Sequence, residues 1–226
     1  MTYANISRAF FIRRPNRFVA EVETDGGTER VHVKNTGRCQ ELLIPGAAVY
    51  LDEAINPNRA TKYDLVAVEK SDRLVNIDSG APNIVFREFL QSGRYLDDVT
   101  VVKSEATYGS SRFDFYVEAG RRRIFIEVKG VTLEENGLVL FPDAPTQRGV
   151  KHLDELARSI GAGYEARAVF VVQTSNVLYF SPNRRMHPAF GDALVRARDA
   201  GVAVEAYDCT VTPDSMAIRR EVAVRL

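Results

Sequence analysis

Short segments in which apolar and polar residues alternate dominate the chain up to residue 80. Phe18 to Glu23 alternates in this way, and the turn sequence Asp25-Gly26-Gly27 leads from it into a second segment, Arg30 to Lys34. A period of two places successive side chains on opposite faces of a strand, and a glycine-containing turn between two such segments is typical of a β-hairpin. Residues 18–34 are therefore predicted to form a hairpin.

Two further strands are predicted before residue 80. Pro45-Gly46 is a turn signal inside the apolar run Leu42 to Leu51, so one strand follows it, and Asp64 to Glu69 forms another. Four or five short strands within about 80 residues favour a small β-barrel, for which the five-stranded oligonucleotide-binding (OB) barrel is one candidate. The number of strands alone does not select that fold.

A mixed pattern of helices and strands begins at Pro82. A short helix is predicted from Pro82 to a stop near Gly93, a second from a cap at Thr146 to about Ile160, and a third over His187 to Ala200. The intervening strands are predicted at Val99–Ala106, Arg112–Glu118, Arg122–Lys129, Ala168–Val172 and Val202–Tyr207. This order, αβββαβαβ, indicates a sheet with helices on both sides.

Two carboxylates and a lysine are predicted to share one polar patch on neighbouring strands. Alternation along RFDFYV places Asp114 on the face opposite Phe113 and Phe115, and alternation along IFIEVK places Glu127 and Lys129 on one face. A turn over residues 119–122 then sets Asp114 across from Glu127. The same register sets Arg112 across from Lys129.

Such a patch suits metal-dependent chemistry. Two close carboxylates repel one another, and a hard divalent cation such as Mg²⁺ or Mn²⁺ relieves that repulsion. A bound metal lowers the pKa of its water and neutralises charge on a phosphodiester, while a nearby lysine stabilises the transition state. The pattern predicts Asp114, Glu127 and Lys129 as catalytic residues, with Asp114 and Glu127 as metal ligands and Glu88 on the preceding helix as a third acidic ligand.

Ordinary explanations exist for each of these residues. A Glu-x-Lys sequence on a strand is common, and usually marks a solvated face with a weak ion pair of about 0.2–1 kcal/mol. Glu88 also fits the solvent face of a short helix. Arg148, Lys151 and His152 share one face of the second helix near its N-terminus. Because positive charge is unfavourable there, an anion such as a phosphate or a site carboxylate is expected nearby, with a plain surface cluster as the alternative.

Composition excludes several classes of protein. The chain has 226 residues with 45% hydrophobic and 27% charged positions, which is typical of a globular protein and not of a disordered one. No apolar run is long enough to span a membrane and no signal peptide is apparent, so the cytoplasm is the expected location. Cys39 and Cys209 are predicted to be free thiols.

Charge gives only local support for a nucleic-acid partner. The 30 basic residues equal the 30 acidic residues, so a broadly basic binder is excluded. Residues 1–20 nevertheless hold Arg8, Arg13, Arg14 and Arg17 without an acid, which we interpret as a positively charged N-terminal arm.

At these motifs the chain resembles the SfsA family, the sugar fermentation stimulation proteins. The resemblance covers nearly the whole length. Its strongest stretches are NTG at 35–37, IPG at 44–46, NPNRATKY at 56–63, Pro82-Asn83, YGSSRFDF at 108–115, EVKGVTL at 127–133 and FPDAPTQRGVKHLDEL at 141–156. It implies an α/β protein, α+β overall, with an OB-like barrel over residues 1–80 and a restriction-endonuclease-like PD-(D/E)xK domain over residues 81–226.

The chain departs from the family pattern at several positions. Val33-Lys34 and Arg38-Cys39 flank the NTG loop where the family usually has Cys-Pro and Ser-Met, Asp78-Ser79 replaces Asn-Thr, and Gly130 follows the EVK stretch in place of Asn. The first change adds positive charge at a loop expected to face a ligand. None of these changes affects Asp114, Glu127 or Lys129.

Three functions are compatible with the sequence. The resemblance implies nucleic-acid binding, of DNA in the first place. From the placement of positive charge, the residues predicted to contact the nucleic acid are Arg13, Arg14, Arg17, Lys34, Arg38, Arg112, Arg148 and Lys151. The first hypothesis is a metal-dependent nuclease, and the second is a DNA-binding regulatory protein that keeps the scaffold without turnover. Action on a small phosphorylated ligand ranks last, because no glycine-rich phosphate loop is present.

Overall fold

A computed structural model describes residues 1–35, 37–56 and 58–226. Its N-terminal sheet has six strands. They are β1 Ile6–Asn16, β2 Val19–Thr24, β3 Gly27–Val33, β4 Ala48–Glu53, β5 Tyr63–Lys70 and β6 Arg73–Asn76. The predicted hairpin over residues 18–34 corresponds to β2 and β3, and the predicted strand Asp64 to Glu69 lies within β5.

Five of these strands close into a barrel. β1 pairs antiparallel with β2 and β4, β2 pairs with β3, and β4 pairs with β5. Parallel pairing of β3 with β5, with His32 opposite Asp64, closes the ring, and β6 extends β5 as a hairpin. Inward-facing residues such as Val22 and Val31 are completely buried. The predicted OB-like barrel is confirmed.

Strand β1 corrects one expectation. Arg8, Arg13 and Arg14 are carried by a barrel strand instead of a separate arm, because Ala9 and Phe11 on the same strand face the barrel interior, and Arg17 lies in the turn that follows. The pairing of β1 with β2 shifts register after Phe11 and again after Arg13. These bulges interrupt the alternation that marks a strand in sequence.

The C-terminal part is a nine-stranded sheet with three helices. The helices are α1 Ala81–Gln91, α2 Gln147–Gly161 and α3 Pro188–Asp199. The strands are β7 Val99–Tyr108, β8 Ser111–Ala119, β9 Arg122–Val131, β10 Glu134–Glu135, β11 Leu138–Phe141, β12 Glu165–Val172, β13 Tyr179–Pro182, β14 Ala203–Thr212 and β15 Ser215–Val224. They lie in the order β10-β11-β13-β15-β14-β12-β9-β8-β7. Four of them, β10, β11, β13 and β15, were not predicted.

Helices cover both faces of this sheet, as the sequence predicts. Val85, Phe86 and Leu90 of α1 pack in one apolar core. Residues of α2 and α3, among them Leu156 and Leu194, pack in another on the opposite face. Strand β9 therefore lies between two cores, parallel to β12 on one side and antiparallel to β8 on the other.

Buried backbone and side-chain amides join the barrel to the sheet. Asn76 N, at the end of β6, donates to Gln173 O at 2.9 Å, and Gln173 N donates to Val131 O at 2.9 Å. These bonds connect the end of β6 to Gln173, which follows β12, and connect Gln173 to Val131, the last residue of β9. The two free cysteines, Cys39 and Cys209, are both buried, in agreement with the sequence prediction.

Candidate active site

The candidate site forms where β8 and β9 diverge. Their backbone pairing ends at Phe115 opposite Ile126, and beyond that point the carboxylate of Asp114 accepts a hydrogen bond from Val128 N at 2.7 Å. The second oxygen of Asp114 accepts from Asn83 Nδ2 in the first turn of α1 at 2.8 Å. Asp114 thus bridges β9 and α1.

The predicted alternation of β8 is wrong at Phe113 and Phe115. Phe113 packs against Phe125 and Phe115 against Phe86, on opposite sides of the sheet, although strict alternation places both on one face. Glu105, between the partners of these residues on β7, has a φ of 54°, which distorts the ladder locally.

Arg112 also differs from its prediction. It pairs with Thr107 on β7 and forms an ion pair with Glu105 at 3.5 Å. It therefore does not lie opposite Lys129, because β8 has already separated from β9 at that point.

Glu127 lies beside Asp114 and is almost completely buried, with 4% of its surface exposed. Its Oε1 atom contacts Nζ of Lys129 and lies 2.5 Å from Nδ1 of His152. Its Oε2 atom is buried and has no hydrogen-bond partner among the described residues. A buried carboxylate oxygen without a donor is costly, so it indicates a position prepared for an additional positive ligand.

The two carboxylates have opposite protonation preferences. Burial, together with the negative charge of Glu127, raises the pKa of Asp114. Burial acts in the same direction on Glu127, but the hydrogen bond from His152 and the positive charge of Lys129 outweigh it and lower the pKa of Glu127. Titratable groups whose environments separate their pKa values in this way are characteristic of functional sites.

Helix α2 supplies two further members of the site. Arg148 Nε donates to Nε2 of His152 at 3.3 Å, so Nδ1 carries the proton that His152 donates to Glu127. Thr146 caps the helix by accepting a hydrogen bond from Gly149 N, as its position in the sequence predicts. The anion expected near this helix face is the carboxylate of Glu127.

Glu88 is not part of this group. Its carboxylate accepts a hydrogen bond from the amino group of Met1 at 2.7 Å, and its side chain is 51% exposed. The residue that α1 brings to the site is Asn83, which lies more than one helical turn earlier. The prediction of a third acidic ligand at position 88 is therefore wrong.

Arg14 has a structural role in place of the predicted nucleic-acid contact. Its guanidinium donates to the carbonyl oxygens of Arg17, Asn35, Gly37 and Arg38 at 2.6–2.9 Å. These four bonds hold the NTG loop against β1 and consume the donors that a phosphate would need.

The other predicted basic residues divide into two groups. Five have protein partners: Arg13 pairs with Glu21, Lys34 with Asp78 and Arg112 with Glu105, Lys151 donates to Ser110 O, and Arg148 donates to His152. Arg17 and Arg38 are exposed and form no ion pair within the described part of the chain. Arg17 instead lies over the ring of Phe18, 5.3 Å from its centre.

Comparison with known proteins identifies the family. The model described as SfsA N-terminal OB domain matches residues 12–77, and the model described as sugar fermentation stimulation protein RE domain matches residues 80–215. The chain belongs to the SfsA family. SfsA relatives named sugar fermentation stimulation protein homolog are 56% identical in Desulfitobacterium hafniense (strain DSM 10664 / DCB-2), over 100% of this chain and 99% of the relative, and 54% identical in Clostridium beijerinckii, over 100% of both.

A solved SfsA structure confirms the fold. The structure of Pyrococcus furiosus SfsA in complex with Ca²⁺ superimposes with a TM-score of 0.91 at 29% identity, and covers 100% of this chain and 98% of that chain.

Within residues 1–35, 37–56 and 58–226, no group of three or more His, Cys, Asp or Glu side chains is arranged as a metal site. No helix of these residues is long and apolar enough to cross a membrane.

Sequence reasoning missed two polar residues close to the site. Asn83 was noted only as part of a Pro-Asn motif, although an asparagine in the first turn of a helix is a useful hydrogen-bond donor at a sheet edge. Gln173 follows the buried strand β12 and was not noted at all. A polar residue directly after an apolar strand is the signal that identifies it, because side chains at the carboxyl ends of strands line clefts in open α/β sheets.

Proposed function

We propose that this SfsA protein is a metal-dependent nuclease whose active site contains Asp114, Glu127 and Lys129. The observation that carries this proposal is the buried Oε2 atom of Glu127, which has no donor among the described residues and lies beside a second carboxylate. Divalent cations satisfy such an arrangement without a protein hydrogen bond.

The donor set fits a hard divalent metal ion such as Mg²⁺ or Mn²⁺. Asp114 and Glu127 supply carboxylate oxygens, which these ions prefer to nitrogen or sulfur. The relative from Pyrococcus furiosus is described as a complex with Ca²⁺, another ion that prefers oxygen ligands. When bound, Mg²⁺ or Mn²⁺ supplies a water of lowered pKa and neutralises charge that develops on a phosphate.

The protein's own groups prepare the site for a phosphodiester. Lys129 contacts Oε1 of Glu127 and keeps 24% of its side chain exposed, so its ammonium group is accessible to a phosphate oxygen. His152 fixes the orientation of Glu127 from the buried side. Asn83 and Val128 N fix both oxygens of Asp114. The chemical groups are therefore held in place before a substrate binds.

DNA is the substrate that we propose. An OB barrel commonly binds oligonucleotides, and the PD-(D/E)xK resemblance of the C-terminal domain implies cleavage of a phosphodiester. Arg17 and Arg38, which are exposed and form no ion pair in the described residues, supply positive charge on the barrel. Because most other basic side chains have protein partners, the contact with nucleic acid is limited to a narrow strip.

A second candidate is a DNA-binding regulatory protein without turnover. The observation in its favour is that, in the described residues, no group of three or more His, Cys, Asp or Glu side chains is arranged to hold a metal ion. Such a protein binds DNA with an affinity that falls as salt rises, and binding does not depend on a divalent cation.

Cleavage and metal binding by the same variants test the proposal. The full chain with Mg²⁺ or Mn²⁺ is expected to cleave DNA, and Asp114→Asn or Glu127→Gln to reduce cleavage by about a hundredfold or more. Glu118→Gln is the matched control, because Glu118 lies on the same strand as Asp114 and, in the described residues, its carboxylate accepts a hydrogen bond only from Tyr116 Oη. Titration calorimetry with Mn²⁺ measures metal binding by the same proteins. Wild type that neither binds Mn²⁺ nor cleaves any DNA or RNA contradicts the proposal, and binding of DNA in EDTA then favours the regulatory candidate.

A further inference from the structure

A second cleft lies between the barrel and the sheet, one residue beyond Lys129. Gly130, Thr132, Phe141, Asp143 and Gln173 of the C-terminal domain line it, together with Ser79 from the connection between the domains. We call it the interdomain pocket. Its volume is about 110 Å³. A cavity of about 150 Å³ holds benzene, so the interdomain pocket, which opens to solvent, admits one edge of a planar base and leaves the rest of that base outside.

Gln173 presents an unsatisfied acceptor to this pocket. Its side chain is 1% exposed, and its Nε2 atom donates to Asn76 O, Asn76 Oδ1 and Asp78 O at 3.0–3.1 Å. Three acceptors around one nitrogen fix the orientation of the amide. The Oε1 atom therefore points toward Gly130, where a Cβ atom would lie only 2.5 Å away, and no described residue donates to it.

Asp143 adds a second acceptor. It is half-buried, with its carboxylate against the NTG loop, since a Cβ atom on Gly37 would lie 2.6 Å from Oδ2. Among the described residues it has neither an ion pair nor a hydrogen-bond donor. A ligand that satisfies the interdomain pocket must therefore bring N–H donors to Asp143 and Gln173, and a flat apolar face to the ring of Phe141.

Nucleobases that carry an exocyclic amino group have these properties. Guanine, adenine and cytosine each present an amino group, whereas thymine presents none, and aspartate or glutamate side chains accept from such groups in nucleic-acid complexes. Guanine is the best match, because its ring N–H and its amino group are adjacent donors. Arg38 lines the adjoining cleft, which shares Asp143, and its exposed side chain supplies positive charge for a nucleotide phosphate.

The interdomain pocket adjoins the candidate active site, because residues that line it are next to residues of the site along the chain. A Cβ atom on Gly130 would lie 2.7 Å from Pro82, and the next residue, Asn83, bonds to Asp114. The segment that carries Asp143 continues into α2, where His152 bonds to Glu127. A base held against Gly130 therefore lies one residue along β9 from Lys129, and we expect the adjoining phosphate to reach that side chain.

We infer that the interdomain pocket binds one unpaired, amino-bearing nucleobase, so that the strand cut at the neighbouring site is single-stranded or locally unpaired. A base within a duplex cannot enter, because its amino edge is already paired and its faces are stacked. This inference rests on the proposed nuclease function for the role of the bound strand. Binding of the base itself is measurable without cleavage.

Fluorescence anisotropy of labelled oligonucleotides in EDTA tests it. The full chain is expected to bind a short oligothymidylate that contains one guanine about tenfold more tightly than the same strand without it, and more tightly than the corresponding duplex. Asp143→Asn is expected to abolish the preference, because an amide no longer offers two acceptors. Asp72→Asn, a matched change at an exposed turn, is expected to keep it. Circular dichroism checks that both variants are folded.

The possible outcomes separate this inference from the nuclease proposal. Equal affinity for strands with and without guanine, a preference that survives Asp143→Asn, equal binding of the duplex, or no binding of any strand each overturns it. Cleavage with Mg²⁺ is measured separately. A preference for guanine without cleavage supports base binding in the interdomain pocket and contradicts the nuclease proposal. Cleavage without a base preference supports the nuclease proposal and contradicts base binding in the pocket.

Discussion

Asp114 and Glu127 are neighbours of the same chemical type with different functions. Asp114 accepts only neutral donors, Val128 N and Asn83 Nδ2, so burial and the charge of Glu127 raise its pKa. Glu127 is deeper, but Lys129 and His152 both contact its Oε1 atom and lower its pKa. The fold therefore destabilises the ionised form of Asp114 relative to its protonated form, and stabilises the ionised form of Glu127.

This contrast predicts stability changes of opposite sign. The penalty for ionised Asp114 appears as pH rises above about 3.9, the unfolded pKa of aspartate, and is complete above the raised folded pKa. Asp114→Asn is therefore expected to increase the free energy of unfolding at pH 7 relative to wild type, and less so near pH 4. The stabilisation from ionised Glu127 is present above about 4.3 and is lost as pH falls through the lowered folded pKa. Glu127→Gln is expected to destabilise the protein at pH 7.

Urea denaturation of wild type and both variants between pH 4 and pH 8, without divalent cations, measures these differences. The two variants serve as controls for each other, because each replaces a site carboxylate by its amide. Destabilisation by Asp114→Asn that grows with pH contradicts the assignment of the raised pKa to Asp114.

At the residue scale, the sequence predicted that Asp114, Glu127 and Lys129 lie close together, but it did not predict the contacts of other charged residues. Asp114, Glu127 and Lys129 follow from strand alternation and from the family resemblance together, because both concern residues on two adjacent strands. Glu88 and Arg14 were misassigned for a common reason. Charge is visible in a sequence, but the amino group or carbonyl oxygens that occupy a charged side chain come from distant segments.

The end of β9 is the element on which both the active site and the interdomain pocket depend. Glu127 and Lys129 lie on one face of β9, and strand alternation places Gly130 on the other. Gly130 has no side chain because Gln173 and Pro82 approach its backbone closely. In this chain the glycine leaves room for these two side chains.

Gly130→Ala is expected to reduce the free energy of unfolding by about 1–3 kcal/mol, since its Cβ atom would lie 2.5 Å from Gln173 Oε1 and 2.7 Å from Pro82. Gly161→Ala is the matched control. No atom lies within 4 Å of a Cβ atom there, so this change is expected to stabilise by about 0.4–1 kcal/mol. Thermal and urea denaturation of both variants measure the difference. Equal stability of the two alanine variants contradicts the close approach at Gly130.

Prediction at the element scale succeeded for long, regular elements and failed for short or irregular ones. All three helices were predicted, because each combines an apolar stripe with a capping residue, a proline or a glycine at its ends. Strands β10 and β11 have two and four residues, too few for a period to be visible. Strand β1 is long, but its bulges disturb the alternation on which recognition depends.

The barrel and the sheet form a continuous structure through Gln173. Its backbone bonds to Asn76 and Val131, and its side chain bonds to Asn76 and Asp78. Gln173→Met keeps the side-chain size but leaves these buried carbonyl oxygens without a donor, which is expected to cost about 2–4 kcal/mol. The exposed Gln91→Met, as a control, is expected to change stability by less than about 0.5 kcal/mol.

Urea denaturation followed by far-ultraviolet circular dichroism and by tyrosine fluorescence measures this loss. The chain has 9 tyrosines and no tryptophan, so the fluorescence reports on several parts of the fold at once. Because Gln173 bonds to both the barrel and the sheet, the two probes are expected to show coincident transitions in wild type. Two separate transitions in wild type, or a Gln173→Met variant with the same free energy of unfolding as wild type, contradict the role of Gln173 in joining the barrel to the sheet.

At the scale of the whole molecule, the equality of 30 basic and 30 acidic residues has a structural counterpart. Most arginines and lysines near the predicted nucleic-acid surface have a carboxylate or carbonyl partner. The few without one, Arg17 and Arg38, lie on the barrel side. Binding is therefore expected to involve few phosphates and to depend only moderately on salt.

The hydrogen bond from Val128 N to Asp114 makes a single backbone amide a reporter of the active site. A hydrogen bond to an ionised carboxylate is stronger than one to a neutral carboxyl group. The NMR resonance of this proton therefore senses the charge on Asp114 directly. Protonation, metal binding and approach of a phosphate each change that charge or its surroundings, so nitrogen-15 labelling of one valine position distinguishes these events in solution without any modification of the protein.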